Sequence, residues 1–81
     1  MHHKLLNNKD IYKVIARNLK KRRKEMRLTQ KELAELTGYS YAYIRRIEGP
    51  NCSKNFSVLT LYNICVALDI DISTIFEDKS I

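Results

Sequence analysis

Tryptophan is missing from these 81 residues, and glycine, cysteine and proline are scarce: two Gly, two Cys and one Pro. Each shortage removes a class of protein. So few Gly and Pro beside 44% apolar residues exclude a low-complexity chain and favour a compact helical one. Cys52 and Cys65, with no histidine pair near them, make neither a zinc site nor a disulfide framework. Cys65 is expected on the apolar face of a helix, where a free thiol behaves as a small hydrophobe. No apolar run approaches the roughly 20 residues that a membrane span needs, and no signal peptide precedes the charged start. The expectation is a cytoplasmic protein with no membrane partner. A nucleophile–base pair, a metal constellation and a Gly-rich phosphate loop are all lacking, so no catalysis, no metal and no cofactor are expected. His2 and His3 are adjacent, a poor ligand pair, and receive no role.

Acidic residues are also few in one part of the chain. Residues 1–54 hold fourteen Lys/Arg against five Asp/Glu, a net of +9; residues 55–81 hold one Lys and four acids, a net of −3. The overall charge is +6. A basic N-terminal two-thirds attracts a polyanion, nucleic acid being the commonest. An anionic membrane fits the charge but not the pattern, because the basic segment lacks the Trp/Phe/Leu-rich face of an interfacial helix.

Eighty-one residues make one domain with a thin core. Residues 1–9 read as a flexible leader, 10–78 as a single helical domain and 79–81 as a short tail. A first helix, capped by Asn8 or Asp10 and ending near Met26, carries the apolar stripe Ile11, Val14, Ile15, Leu19 and Met26. The run from Lys20 to Lys24 lies in its last turns, where cations complement the negative helix end. Residues 29–48 then contain two sets of helix punctuation. Thr29 with Glu32 is a capping box, and Gly38 supplies the left-handed residue that stops the helix. Ser40 caps a second short helix that ends at Glu48, before Gly49-Pro50. Two capped helices of about two turns joined by a Gly-containing turn describe a helix-turn-helix at about 30–48. Leu33, Ala34 and Leu36 are expected inward on the first, Ile44 and Ile47 on the second. A polar loop follows. Ser57 caps a fourth helix, Val58 to Leu68, with Leu59, Leu61, Ile64, Cys65 and Leu68 buried. Asp71 caps a short fifth, Ile72 to Glu77. No strand and no repeat is expected.

These pieces together resemble the phage-repressor and Cro-like (xenobiotic-response-element) family of all-α, five-helix DNA-binding domains. The resemblance covers about residues 11–77. It is carried by Leu28-Thr29-Gln30-x-Glu32-Leu33-Ala34, the Gly38 turn, Ile44-x-x-Ile47-Glu48, the Ser57-x-x-x-Leu61-x-x-Ile64-x-x-Ala67-Leu68-x-Ile70 segment and Ile75-Phe76. Each is common alone; their order and spacing are specific. The resemblance implies that the third helix lies in the major groove of double-stranded DNA. Gln30 would then brace the phosphate backbone, Ser40 would place helix-start amides toward phosphate, and Tyr41, Ala42, Arg45 and Arg46 would face base edges or flanking phosphates. It also implies a structural pair between Arg23 and Glu48. Two residues depart from the family's pattern: Arg22 stands where an apolar residue is usual, expected to bury its stem and keep its head in water. Arg27 replaces a common Gly.

The residues themselves give each side chain two readings. Arg45 and Arg46 are either a solvated pair or DNA contacts, bidentate to guanine in the strongest case. Tyr41 suits a phosphate or a thymine methyl. Tyr43 is divided between packing and readout, and Tyr39 goes to packing. Lys54 and Asn55 suit a backbone clasp after the recognition helix; Lys20, Lys21 and Lys24 contribute mostly a long-range field. One helix spans too few base pairs to choose a site, so a homodimer on a palindromic operator is expected. Leu68, Ile70, Ile72, Ile75 and Phe76 are the expected dimer surface. The short chain leaves no room for an effector domain, so no small-molecule effector is expected. The function expected is a transcriptional regulator of repressor or restriction-modification controller type. The alternative is an antitoxin or other protein-interaction module on the same fold; the lack of a wrapping tail and the basic face of the third helix count against it.

Overall fold

The computed structural model describes residues 8–49 and 56–77, with side chains from Ile11 onward. Among them are four α-helices, a terminal 3-10 helix and no strand: α1 Asn8–Glu25, α2 Gln30–Thr37, α3 Tyr41–Glu48, α4 Val58–Ala67, and the 3-10 helix Ile72–Phe76. The leader through Asn7, Pro50 to Asn55 and the tail from Asp78 lie outside the described residues, and with them Cys52, Lys54 and Asn55.

Capping fixes the element boundaries. Thr29 Oγ1 accepts the Glu32 N–H while Glu32 returns its carboxylate to the Thr29 N–H, completing the capping box. Ser40 and Ser57 accept the N–H groups of Tyr43 and Thr60. Gly38, at φ +80°, gives its N–H to the Ala34 carbonyl and ends α2. Two further helix ends, those of α1 and α4, do the same without glycine. After α1, Leu28 N–H reaches the Arg23 carbonyl and Arg27 N–H the Lys24 carbonyl, with Arg27 at φ +59°. After α4, Ile70 N–H reaches the Cys65 carbonyl and Asp69 N–H the Val66 carbonyl, with Asp69 at φ +50°. Both are Schellman ends in which a residue with a Cβ occupies the left-handed position. The Gly expected at 27 is replaced, but its conformation is kept.

The core is built from Ile15 and Leu19 of α1, Leu33 and Ala34 of α2, Ile44 and Ile47 of α3, Leu61, Ile64 and Cys65 of α4, and Leu68 and Ile75. Burial pushes the Cys65 thiol up to about 11, with the Asp71 charge adding to it. Two side chains of α1 clamp the C-terminal segment. Asn18 Nδ2 donates to the carbonyls of Ile75 and Glu77 at 2.7 and 2.8 Å. Arg22 donates from Nε to the Leu68 carbonyl at 2.8 Å and from Nη2 to the Asp69 carbonyl at 3.2 Å. Arg22 is therefore a C-terminal cap for α4, which explains a cation at an apolar position better than snorkelling does.

Four expectations are corrected. The fifth helix is a five-residue 3-10 helix, closed by Thr74 N–H to the Asp71 carbonyl and Glu77 N–H to that of Thr74. So short a segment, rich in β-branched residues, closes on i→i+3 bonds. Leu36 is 60% exposed because Leu33 and Ala34 already fill the inward arc of the two-turn α2. Leu59 is 65% exposed: α4 turns Leu61, Ile64 and Cys65 inward and leaves Leu59 outside. Leu68 and Ile75, expected at a dimer surface, are 0% exposed and belong to the core, while Ile70 and Ile72 are half-buried against it. Of that expected set, Phe76 alone is exposed. The open apolar surface lies instead on α4, where Val58, Leu59, Tyr62 and Val66 all face outward.

Candidate nucleic-acid interface

α3 has eight residues and cannot hold itself together in water, so its position depends on its neighbours. Ile44 and Ile47 anchor one edge in the core. Glu48 anchors its end: Arg23 donates from Nε to one carboxylate oxygen at 2.8 Å and from Nη2 to the other at 3.0 Å. Both side chains are buried. Arg23 also donates from Nη1 to the Leu28 carbonyl at 2.6 Å, tying the α1–α2 connection to the same knot. Gln30 Nε2 adds a third donor to Glu48 at 3.2 Å. The structure thus brings Arg23, Gln30 and Glu48 together where α1, α2 and α3 meet. A buried carboxylate with three charge-assisted or amide donors is well satisfied, and a bidentate guanidinium restricts how α3 can rotate.

With its inner edge fixed, α3 turns the rest outward. Tyr41, Ala42, Arg45 and Arg46 are exposed, and Tyr43 is half-buried. The cations are not loose. The Arg45 guanidinium stands over the Tyr41 ring at 5.5 Å, and that of Arg46 over Tyr43 at 5.3 Å. Each contact is worth roughly 0.5–1 kcal/mol at an exposed site and limits the rotamers the arginine samples. Tyr43 is itself braced. Its ring meets Tyr39 edge-on at 5.4 Å, and the Tyr39 hydroxyl accepts from Asn63 Nδ2 of α4 at 3.1 Å. A chain of contacts runs from α4 through two tyrosines to Arg46.

Ser40 is exposed at the start of α3, where a helix beginning offers amides to an anion. Gln30 is half-buried, with its amide nitrogen engaged by Glu48. Two contributors went unread in the sequence. Lys31 of α2 stands over the Tyr41 ring at 5.7 Å and so joins the same cationic surface as Arg45. Its position immediately after Gln30 was the available signal. Asn63 had none, because its partner lies 24 residues away.

Among the described residues no group of His, Cys, Asp or Glu side chains is placed to hold a metal ion. No described helix is long and apolar enough to cross a membrane.

A family model described as the Cro/C1-type HTH DNA-binding domain matches residues 18–80. The chain belongs to this Cro/C1-type family. No curated protein matches it. Solved structures do. A hypothetical transcription factor from Neisseria has a TM-score of 0.80 at 20% identity, over 98% of this chain and 86% of that one, and shares the fold. A restriction-modification controller protein from Aeromonas hydrophila has a TM-score of 0.72 at 26% identity, over 80% and 96%. An HTH_3-family transcriptional regulator from Vibrio cholerae has a TM-score of 0.76 at 30% identity, over 86% of this chain and 38% of that one. This Cro/C1-type domain is a double-stranded-DNA-binding regulator, not an enzyme. Its α2 and α3 are the helix-turn-helix, and the surface of α3 described above faces outward.

Proposed function

We propose that the chain is a sequence-specific transcriptional regulator, of repressor or restriction-modification controller type, that reads a palindromic operator as a homodimer. The observation that carries this reading is the outward face of α3: two arginines, each held over a tyrosine, on a helix locked from behind. Arg45 and Arg46 are the base-reading or phosphate-clamping groups, with Tyr41, Tyr43 and Ala42 shaping the contact. Ser40 and the oxygen of Gln30 address the backbone; Lys54 and Asn55 complete the clasp after α3. The Aeromonas relative, named as a restriction-modification controller, supports the regulatory class.

The twin is best accommodated by α4. From Val58 to Ala67 this helix has no charged residue, and its outward side carries Val58, Leu59, Tyr62 and Val66. A helix that is apolar all round is normally buried all round, and an uncharged patch suits a copy of itself better than a charged partner. Phe76 adds to the apolar exposure. The alternative reading, an antitoxin or adaptor, draws on the same patch. Sedimentation of the purified chain separates them: a dimer at micromolar concentration supports the first, a strict monomer the second. Regulation then follows from concentration and dimerisation, without a small-molecule effector.

Selection from random duplex DNA tests the whole reading. The purified chain should enrich a twofold-symmetric site, and Arg45→Ala or Arg46→Ala should relax the base preference at defined positions. No enrichment, or identical sites from all three proteins, would remove the assignment of α3.

A further inference from the structure

α1 carries cations that neither the core nor the recognition surface uses. Lys13, Arg17 and Lys20 recur at four- and three-residue steps, so they share one side of the helix. All three are exposed. The ordinary reading of such a stripe is a solvated face, but here it is not a convex one. Lys13, Ala16, Arg17 and Lys20 line a concavity of about 520 Å³ whose far wall is Glu48 and Gly49, the end of α3. The floor at Ala16 is buried and small, which leaves room between the cations and Gly49.

Among the described residues the charge lining this concavity is mostly positive. Glu48 is the acid that lines it, and its carboxylate is already taken by two N–H groups of Arg23 and one of Gln30, with its side chain only 2% exposed. The negative end of the α3 dipole also points here, but it amounts to about half a charge against the two lysines. The net field attracts an anion. The concavity begins where α3 ends, at Glu48 and Gly49.

We propose that this groove between α1 and the end of α3 is a second seat for the DNA phosphate backbone, with Lys13 and Lys20 as the contacting cations. It rests on the reading of α3 given above and extends it: the footprint continues past the helix-turn-helix onto α1, adding affinity without base preference. Arg17 lies between the two lysines and already has a partner of its own, so the test leaves it intact.

Lys13→Gln, Lys20→Gln and their double variant are compared with Lys21→Gln, which removes the same charge from the separate depression beside Asn18 and Asp69. The probe is the duplex selected by the wild-type chain, titrated between ~50 and ~200 mM salt. Taking away one lysine–phosphate pairing should lower the slope of log K against log salt by about 0.9. The two single variants should each show that drop, the double about 1.8, and Lys21→Gln none, with the selected sequence unchanged throughout. Equal slopes for all the proteins, or an equal drop in Lys21→Gln, would reduce the stripe to a long-range field and overturn the proposal. A base preference that survives Arg45→Ala and Arg46→Ala would overturn the reading of α3 instead, while these slopes still report on α1. A wild-type chain that binds no duplex would overturn both.

Discussion

Glu48 is the residue on which most of the geometry converges. It closes α3, accepts from Arg23 twice and from Gln30 once, and walls the groove beside α1. Removing one partner of a buried pair strands the other, so Glu48→Ala should lower unfolding free energy by about 3–5 kcal/mol. Replacing both, as Arg23→Met with Glu48→Leu, should recover part of that loss, because neither charge is then left buried alone, although the Leu28 carbonyl and Gln30 amide lose their partners. Urea unfolding of the three proteins checks this. A double variant as unstable as the single would mean that α3 depends on the ion pair itself. Cys65 allows a second test. With its thiol pushed up to about 11, only about one part in a thousand is thiolate at pH 8. In a Cys52→Ser background, Cys65 should resist iodoacetamide in the folded chain and react once denaturant exposes it. A raised pKa in the fold also means stability held below the ordinary thiol range and lost as pH climbs from about 9 toward about 11. Mass spectrometry of the alkylated chain decides the first point.

Elements are legible where their signals are local. The capping box at Thr29, the Gly38 stop and the Ser40 and Ser57 caps are read within four residues of themselves, and α2, α3 and α4 begin where those residues say. Orientation is less legible. Leu36 and Leu59 satisfy a helical period but face water, since periodicity gives a stripe without saying which neighbour covers it. Leu68 and Ile75 look like surplus apolar surface because nothing local shows that Asn18 and Arg22 draw the C-terminal segment onto α1. The Schellman ends offer a test at this scale. Arg27 holds a left-handed backbone at φ +59°, which costs a residue with a Cβ about 1–2 kcal/mol. Arg27→Gly relieves that and gives back roughly 0.5–1 kcal/mol in unfolded-state entropy. The variant should be modestly more stable, by up to about 1 kcal/mol in thermal or urea unfolding. A clear loss would show that the Arg27 side chain contributes contacts of its own.

At the scale of the whole molecule, charge and shape divide the work. The first two-thirds holds the cations, and the tertiary fold gathers Lys31, Arg45 and Arg46 around Tyr41 and Tyr43. The outward set on α3 is readable from helical spacing once its two ends are known. The brace from Asn63 through Tyr39 is not, because it joins elements distant in sequence. The apolar face of α4 gives the other half of the account. Tyr62→Glu should shift a dimer toward monomer in sedimentation and weaken binding to a palindrome far more than to a single half-site. Unchanged association would move the twin elsewhere.

If α3 meets duplex DNA through Arg45 and Arg46, reversing both charges turns attraction for phosphate into repulsion. Arg45→Glu with Arg46→Glu leaves Ile44, Ile47 and the Arg23–Glu48 pair in place, so the fold should persist by circular dichroism. If each arginine supplies about 1–3 kcal/mol, affinity for the selected duplex should fall by about 30-fold or more in a fluorescence titration. A folded variant that binds this duplex as tightly as wild type would contradict the account.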